Sequence, residues 1–177
     1  MPAGKAESRV PLLEKHTAPD GCRPLLEQLE KGLGGLPNIF KAMANSPAAL
    51  KTYMGFQGAL KDGSLSPRLR EALALAVTQE LKCGYCVSAH TLLAKGQGLS
   101  ADDIQDARDG KAADPKDQAA LNVALSMVRN CGNVSDETIA AARKAGLTNA
   151  ELVEIAVVVA LNIFTSYFNH LVRTPLD

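Results

Sequence analysis

EALALAVTQELKCGYCVSAH, residues 71–90, decides how the rest of the chain is read. Leu73, Ala76 and Val77 recur at helical spacing behind a Ser66-Pro67 start signal, so a helix is expected to run from there to about Lys82–Gly84. Cys83 and Cys86 form a Cys-x-x-Cys pair, and His90 follows Cys86 by four residues. On a helix beginning near Gly84, that spacing sets the imidazole on the face that carries Cys86. Glu71 lies too far off on a straight helix, about 22 Å from Cys86 at ~1.5 Å per residue. A break at Lys82-Cys83-Gly84, with Gly84 as the residue that tolerates the turn, would reverse the chain and bring Glu71 beside His90.

Working outward, the same helical period recurs on both sides. Leu25, Leu26, Leu29 and Leu33 mark a short amphipathic helix closed by Gly34 and Gly35, and Leu36-Pro37-Asn38 opens a second that runs to about Asn45. Ser46-Pro47 starts a third, with Leu50, Tyr53, Met54 and Leu60 on its inner face. Downstream, Ser100, Asp114-Pro115, Ser135 and the capping box Thr148-Asn149-Ala150-Glu151 each open a helix. No stretch alternates apolar and polar residues in the manner of a strand, so the expected fold class is all-α. Residues 1–21, with three prolines, read as an extended arm that lies over the body or a neighbouring subunit, and 22–177 as one helical domain. The last helix is apolar nearly all round between Leu152 and Phe164, interrupted mainly by Glu154 and Asn162. Such a helix needs cover on every side, which predicts a central position or a subunit interface.

Composition excludes several function classes. Lys plus Arg equals Asp plus Glu at 19 each and no basic run occurs, so the electrostatic footprint of a nucleic-acid binder is missing. The first twenty residues lack a signal-peptide core and the longest apolar run reads as too short to span a bilayer, giving the expectation of a soluble, cytoplasmic protein away from membranes. With 46% hydrophobic residues the chain can bury a core without cysteine staples. Cys22 and Cys131 stand alone and read as small buried or half-buried apolar residues, His16 as an exposed arm residue and His170 as a polar residue near the last helix terminus.

Taken alone, the Cys83/Cys86 pair fits a redox couple, part of a zinc site or a structural element. A closed zinc site needs a fourth ligand, and no second Cys-x-x-Cys or His pair supplies one, which leaves a three-ligand site as the metal reading. For redox work a free thiol is only a few per cent thiolate at neutral pH and needs help. A helix N-terminus and a neighbouring imidazole both provide it, and Cys83, one turn before Cys86, can close a disulfide. Glu71 alone reads as a solvated helix residue and His90 as a satisfied core histidine; their spacing promotes them.

Glu71, eleven intervening residues, Cys83-x-x-Cys86, three residues and His90 together resemble the signature of the alkylhydroperoxidase AhpD-like group of the carboxymuconolactone decarboxylase superfamily. The stretch LPNIFKAMANSPAALKTYMGFQGAL resembles its peroxidase-related branch, and the resemblance covers roughly residues 25–172. It implies a helical fold whose Cys-x-x-Cys opens a central helix, and a cofactor-independent enzyme holding no metal. Cys86 would be the thiolate that attacks a hydroperoxide, Cys83 the resolving cysteine, and Glu71 with His90 the proton relay. The oxidised enzyme would be re-reduced by a thiol or dithiol donor, a lipoylated protein in the best-known member. A homo-oligomer of three or six chains is also implied. The best-known member has a histidine where this chain has Tyr85, whose readings are packing or a hydrogen bond from its hydroxyl. The decarboxylation that names the superfamily makes no use of paired cysteines, and a redox sensor without turnover is the remaining rival.

Overall fold

Proline-led and hydroxyl-capped starts recur along the computed structural model, which describes residues 7–177. Among the described residues the chain forms helices and no strand: α1 Arg23–Leu33, α2 Asn38–Met43, α3 Pro47–Lys61, α4 Pro67–Glu80, α5 Gly84–Gly96, α6 Ala101–Arg108, α7 Pro115–Arg129, α8 Asp136–Lys144 and α9 Asn149–Val172. The all-α fold class stands. Ser66, Ser100 and Ser135 each accept the backbone N–H three residues on, and Asp114 accepts from Lys116 and Asp117, satisfying donors that a helix start leaves open. Thr148 and Glu151 close the expected capping box, each accepting the other's backbone N–H.

The chain divides into two compact units, one made of residues up to 58 together with 167–177, the other of residues 59–166. In the first unit the arm's described part, residues 7–21, is tied down by backbone bonds from Arg9 to Val172 (2.7 Å) and from Leu13 to Lys41 (3.0 Å). Asn45 adds a side-chain bond to the Pro11 carbonyl at 2.8 Å. Residues 1–6 of the expected arm lie outside the described residues. Leu26, Met43 and Leu50 are buried here, and the rings of Phe40 and Tyr53 meet at 4.8 Å. Cys22 is a buried free thiol donating to the Ala44 carbonyl, and burial pushes its pKa up, as befits an inert core residue.

In the second unit α4 is the middle element, packed against α5, α6 and α7, with Leu73, Leu75, Ala76 and Val77 buried. Leu75 meets Ala94, Leu99, Ile104 and Ala107 in one apolar cluster, which fixes α5 and α6 against α4. α9 enters this unit through Ile155, Val158, Val159 and Leu161. Glu154, the charge that interrupts its apolar run, accepts N–H bonds from Ser64 and Leu65 at 2.8 and 2.9 Å and so closes the loop between α3 and α4. Gly63 leaves room for that carboxylate, since a Cβ there would stand 2.7 Å from Glu154 Oε2.

One expectation about α9 changes. Its 24 residues, with mean hydropathy 1.6 over the most apolar window, are long and apolar enough to cross a membrane by length and composition, which corrects the reading of every apolar run as too short. Half of that window is buried inside the protein, as in the core helix of a globular chain. Within one chain Val153 is 68% exposed, and Tyr167 and Leu171 on the same helix are similarly open, as the subunit-interface alternative of that expectation allows.

Candidate functional site

The site is built where α4 gives way to α5. α4 ends in a Schellman arrangement: Lys82 N–H reaches the Gln79 carbonyl and Cys83 N–H the Thr78 carbonyl, each at 3.0 Å. The left-handed residue that this requires is Lys82, with φ 57°, and not Gly84. Gly84 is the first residue of α5 and shows no positive φ, which corrects the expectation that it forms the hinge. A lysine in that conformation is strained where glycine is not. Lys82→Gly is therefore expected to stabilise the protein by about 1 kcal/mol, a rise in melting temperature of roughly 2–4 °C by thermal denaturation.

Cys83 belongs to both helices. Its backbone N–H completes the end of α4, while its side chain is the N-cap of α5, its sulfur accepting the Cys86 N–H at 3.3 Å. The two sulfurs are joined in a disulfide with Cα atoms 5.3 Å apart. Both cysteines are almost completely buried, at 1% and 4% exposed. In the reduced protein the same N-terminal N–H groups and the helix dipole would favour a thiolate at this end of α5.

The reversal at Lys82 lays α5 back along α4 and brings together two residues nineteen apart in sequence: His90 Nδ1 lies 2.8 Å from Glu71 Oε2. Their side chains are 17% and 19% exposed, enclosed enough for the pair to hold one geometry. With Nδ1 on the carboxylate, the carboxylate fixes the ring, and Nε2 is the nitrogen left for chemistry. His90 follows Cys86 by one turn of α5, on the same face. Tyr85 is buried between the two cysteines in sequence. Among the described residues no group of three or more His, Cys, Asp and Glu side chains is arranged to hold a metal ion.

One neighbour of the sulfurs was missed in the sequence. Ser166 of α9, fully buried, donates its hydroxyl to Cys86 Sγ at 3.5 Å. The signal was available: Asn162 and Ser166 are polar interruptions one turn apart in a helix otherwise suited to burial. Of the remaining cysteines, Cys22 is buried in the first unit as expected, whereas Cys131, just beyond α7, is exposed and not the buried or half-buried residue expected. His16 and His170 are exposed.

Residues 47–124, which include Glu71, Cys83, Cys86 and His90, match the Carboxymuconolactone decarboxylase family. An uncharacterized peroxidase-related protein from Ralstonia eutropha JMP134, described as an alkylhydroperoxidase AhpD core, shares the fold with TM-score 0.84 and 24% identity, over 98% of this chain and 94% of that one. A second peroxidase-related protein, from Silicibacter sp. TM1040, superposes with TM-score 0.85 and 21% identity over 100% and 95% of the two chains. The debrominase Bmp8, solved in complex with 2,3,4-tribromopyrrole, does so with TM-score 0.83 and 19% identity over 98% and 94%. Comparison with curated protein sequences returns no significant match.

Proposed function

We propose that this chain is an AhpD-like member of the carboxymuconolactone decarboxylase superfamily and a cofactor-independent thiol peroxidase working through the Cys83/Cys86 couple. The observation that carries the proposal is the Glu71–His90 pair, held at 2.8 Å one helical turn beyond a cysteine couple at a helix N-terminus. His90 takes the Cys86 thiol proton, and the carboxylate of Glu71 stabilises the imidazolium that results. The Cys86 thiolate attacks one peroxide oxygen, the O–O bond breaks, and the departing alkoxide takes the proton back from His90 as an alcohol. Cys86 is then a sulfenic acid. Cys83 attacks its sulfur, water leaves, and the disulfide forms. A dithiol donor returns the pair to the reduced state by exchange, giving up two electrons and becoming a disulfide itself.

The electron donor is proposed to be a small dithiol or a lipoylated protein, and the compartment a reducing one, the cytoplasm, where the couple can be recycled. Homo-oligomerisation, as a trimer or hexamer, would cover the open apolar face that Val153 marks on α9. Decarboxylation is the weaker reading because the buried cysteine couple contributes nothing to it.

Mixing reduced protein with cumene hydroperoxide is the direct test. One peroxide per chain should be consumed as the Cys83 and Cys86 thiols disappear together, and a dithiol should restore turnover. Reduced protein that leaves the peroxide untouched would sink the proposal, and oxidation without turnover on any dithiol would make it a redox sensor. A parallel arm with 2,3,4-tribromopyrrole, the compound bound to the debrominase neighbour, asks whether the same two electrons are spent on a carbon–bromine bond instead.

A further inference from the structure

Of the buried polar side chains of α9 in the second unit, Glu151 pairs with Lys116 of α7, and the three uncharged ones divide by where their hydrogen bonds go. Asn162 donates to the Val158 carbonyl at 2.9 Å, and Thr165 to the Leu161 carbonyl at 3.2 Å, so both turn back onto their own helix. Ser166 instead reaches across to α5, and the atom it meets is Cys86 Sγ. We infer that Ser166 is a positioning residue that holds the Cys86 sulfur as its anion in the reduced protein. This deepens the peroxidase reading and rests on Cys86 being the attacking thiol.

Cys86 is 4% exposed, so a thiolate there has little water to stabilise it, and burial by itself favours the neutral thiol. A disulfide sulfur is a weak acceptor, whereas a hydrogen bond to an anion is roughly twice as strong as a neutral one. The Ser166 bond therefore gains most when Cys86 is reduced and ionised, and favours that form over both the thiol and the disulfide. The titratable groups close to Cys86 in sequence are Lys82, Cys83, Tyr85 and His90, and Glu71 of α4 is bonded to His90. From α9, residues 162–166 carry no charged side chain, and the Ser166 hydroxyl is a donor that this helix places on Cys86 Sγ. Serine suits a site with no exposure, being small enough to let α9 and α5 approach while carrying a donor.

The test uses the full chain with Cys83→Ser, which leaves Cys86 reduced, and follows iodoacetamide alkylation of Cys86 against pH by peptide mass spectrometry. The exposed Cys131 in the same molecule is the internal reference. Ser166→Ala should raise the Cys86 pKa by about 0.7, lowering the thiolate fraction near neutral pH roughly fivefold, the size expected for losing one net hydrogen bond. In the protein with both cysteines, the same change should lower the midpoint potential by about 20 mV, a fivefold shift at ~29.6 mV per tenfold. Ser166→Thr keeps the hydroxyl and should retain the parent pH profile. A Cys86 profile unmoved by Ser166→Ala would overturn the inference, as would equal shifts in the alanine and threonine variants, which would mark a packing effect. No peroxide enters this measurement. A protein inert to peroxide but shifted in its alkylation profile would lose the proposed function and keep the role of Ser166.

Discussion

Cys86→Ser is expected to slow the first turnover with hydroperoxide by at least about 10³-fold, because a serine hydroxyl is almost never ionised at neutral pH and a thiolate is the form that attacks. Cys83→Ser should behave differently in kind. Its first peroxide is consumed at close to the parent rate, and the reaction stops at a Cys86 sulfenic acid that dimedone traps and mass spectrometry locates. His90→Gln and Glu71→Gln should each slow the first step by roughly 10²-fold, the usual contribution of a positioned base. The double variant should be little worse than either single one, since the two are bonded at 2.8 Å and act as one unit. The structure makes the experiment decisive about which sulfur is which. Cys83 is the N-cap, whose sulfur accepts an N–H of α5, a setting that suits a thiolate that resolves the sulfenic acid or leaves on reduction. If Cys83→Ser lost the first turnover and Cys86→Ser kept it, the roles of the two cysteines would have to be exchanged.

For stability the largest single-carboxylate effect is expected at Glu154. Its side chain accepts the Ser64 and Leu65 N–H groups, and the Ser64 backbone bond is the main reason its pKa lies below the ordinary value. Glu154→Ala leaves those N–H groups without their acceptor and should cost about 2 kcal/mol, a fall of roughly 4–8 °C in melting temperature for a chain of this length. The sign of the pH dependence follows from the direction of the shift. A carboxyl whose pKa is lowered by folding stabilises the protein above its unfolded pKa, near 4.5, and that contribution is lost as pH falls through the folded value. Glu151, also lowered, chiefly by its bond from Lys116, adds to the same acid loss at the same end of α9. Melting curves from pH 7 to pH 3 should therefore converge for parent and Glu154→Gln. Parallel curves across that range would show that the carboxylate's charge plays no part.

Much of the fold was legible because its signals are local. Ser66-Pro67, Ser100, Asp114-Pro115 and Thr148 with Glu151 declare helix starts through short-range hydrogen bonds, and the structure forms those helices there. The proximity of Glu71 and His90 could be argued from spacing plus one break. What could not be read was which residue bears the break. Glycine is the natural choice by conformational freedom, yet the bonds to Thr78 and Gln79 require the left-handed position at Lys82, and the packing of α5 on α4 outweighs the local preference. For Ser166 the polar interruption of α9 is visible in the sequence, but its partner is not. Its contact with Cys86 spans eighty residues, and only tertiary packing decides which face of α9 meets α5. The role of Glu154 in closing the turn after α3 was hidden in the same way, its acceptor function depending on a loop ninety residues earlier.

The corner at Lys82 and Cys83 contains no slack residue: Cys83 ends one helix with its backbone and begins the next with its side chain. The interval from Glu71 to Cys83 is thus a mechanical dimension of the site. One residue added to α4 between them would turn Glu71 about 100° around the helix and shift it about 1.5 Å along the axis, carrying the carboxylate off the imidazole. Within this interval Leu73, Leu75, Ala76 and Val77 are buried and hold its composition as well, and a change in its length would part Glu71 from His90.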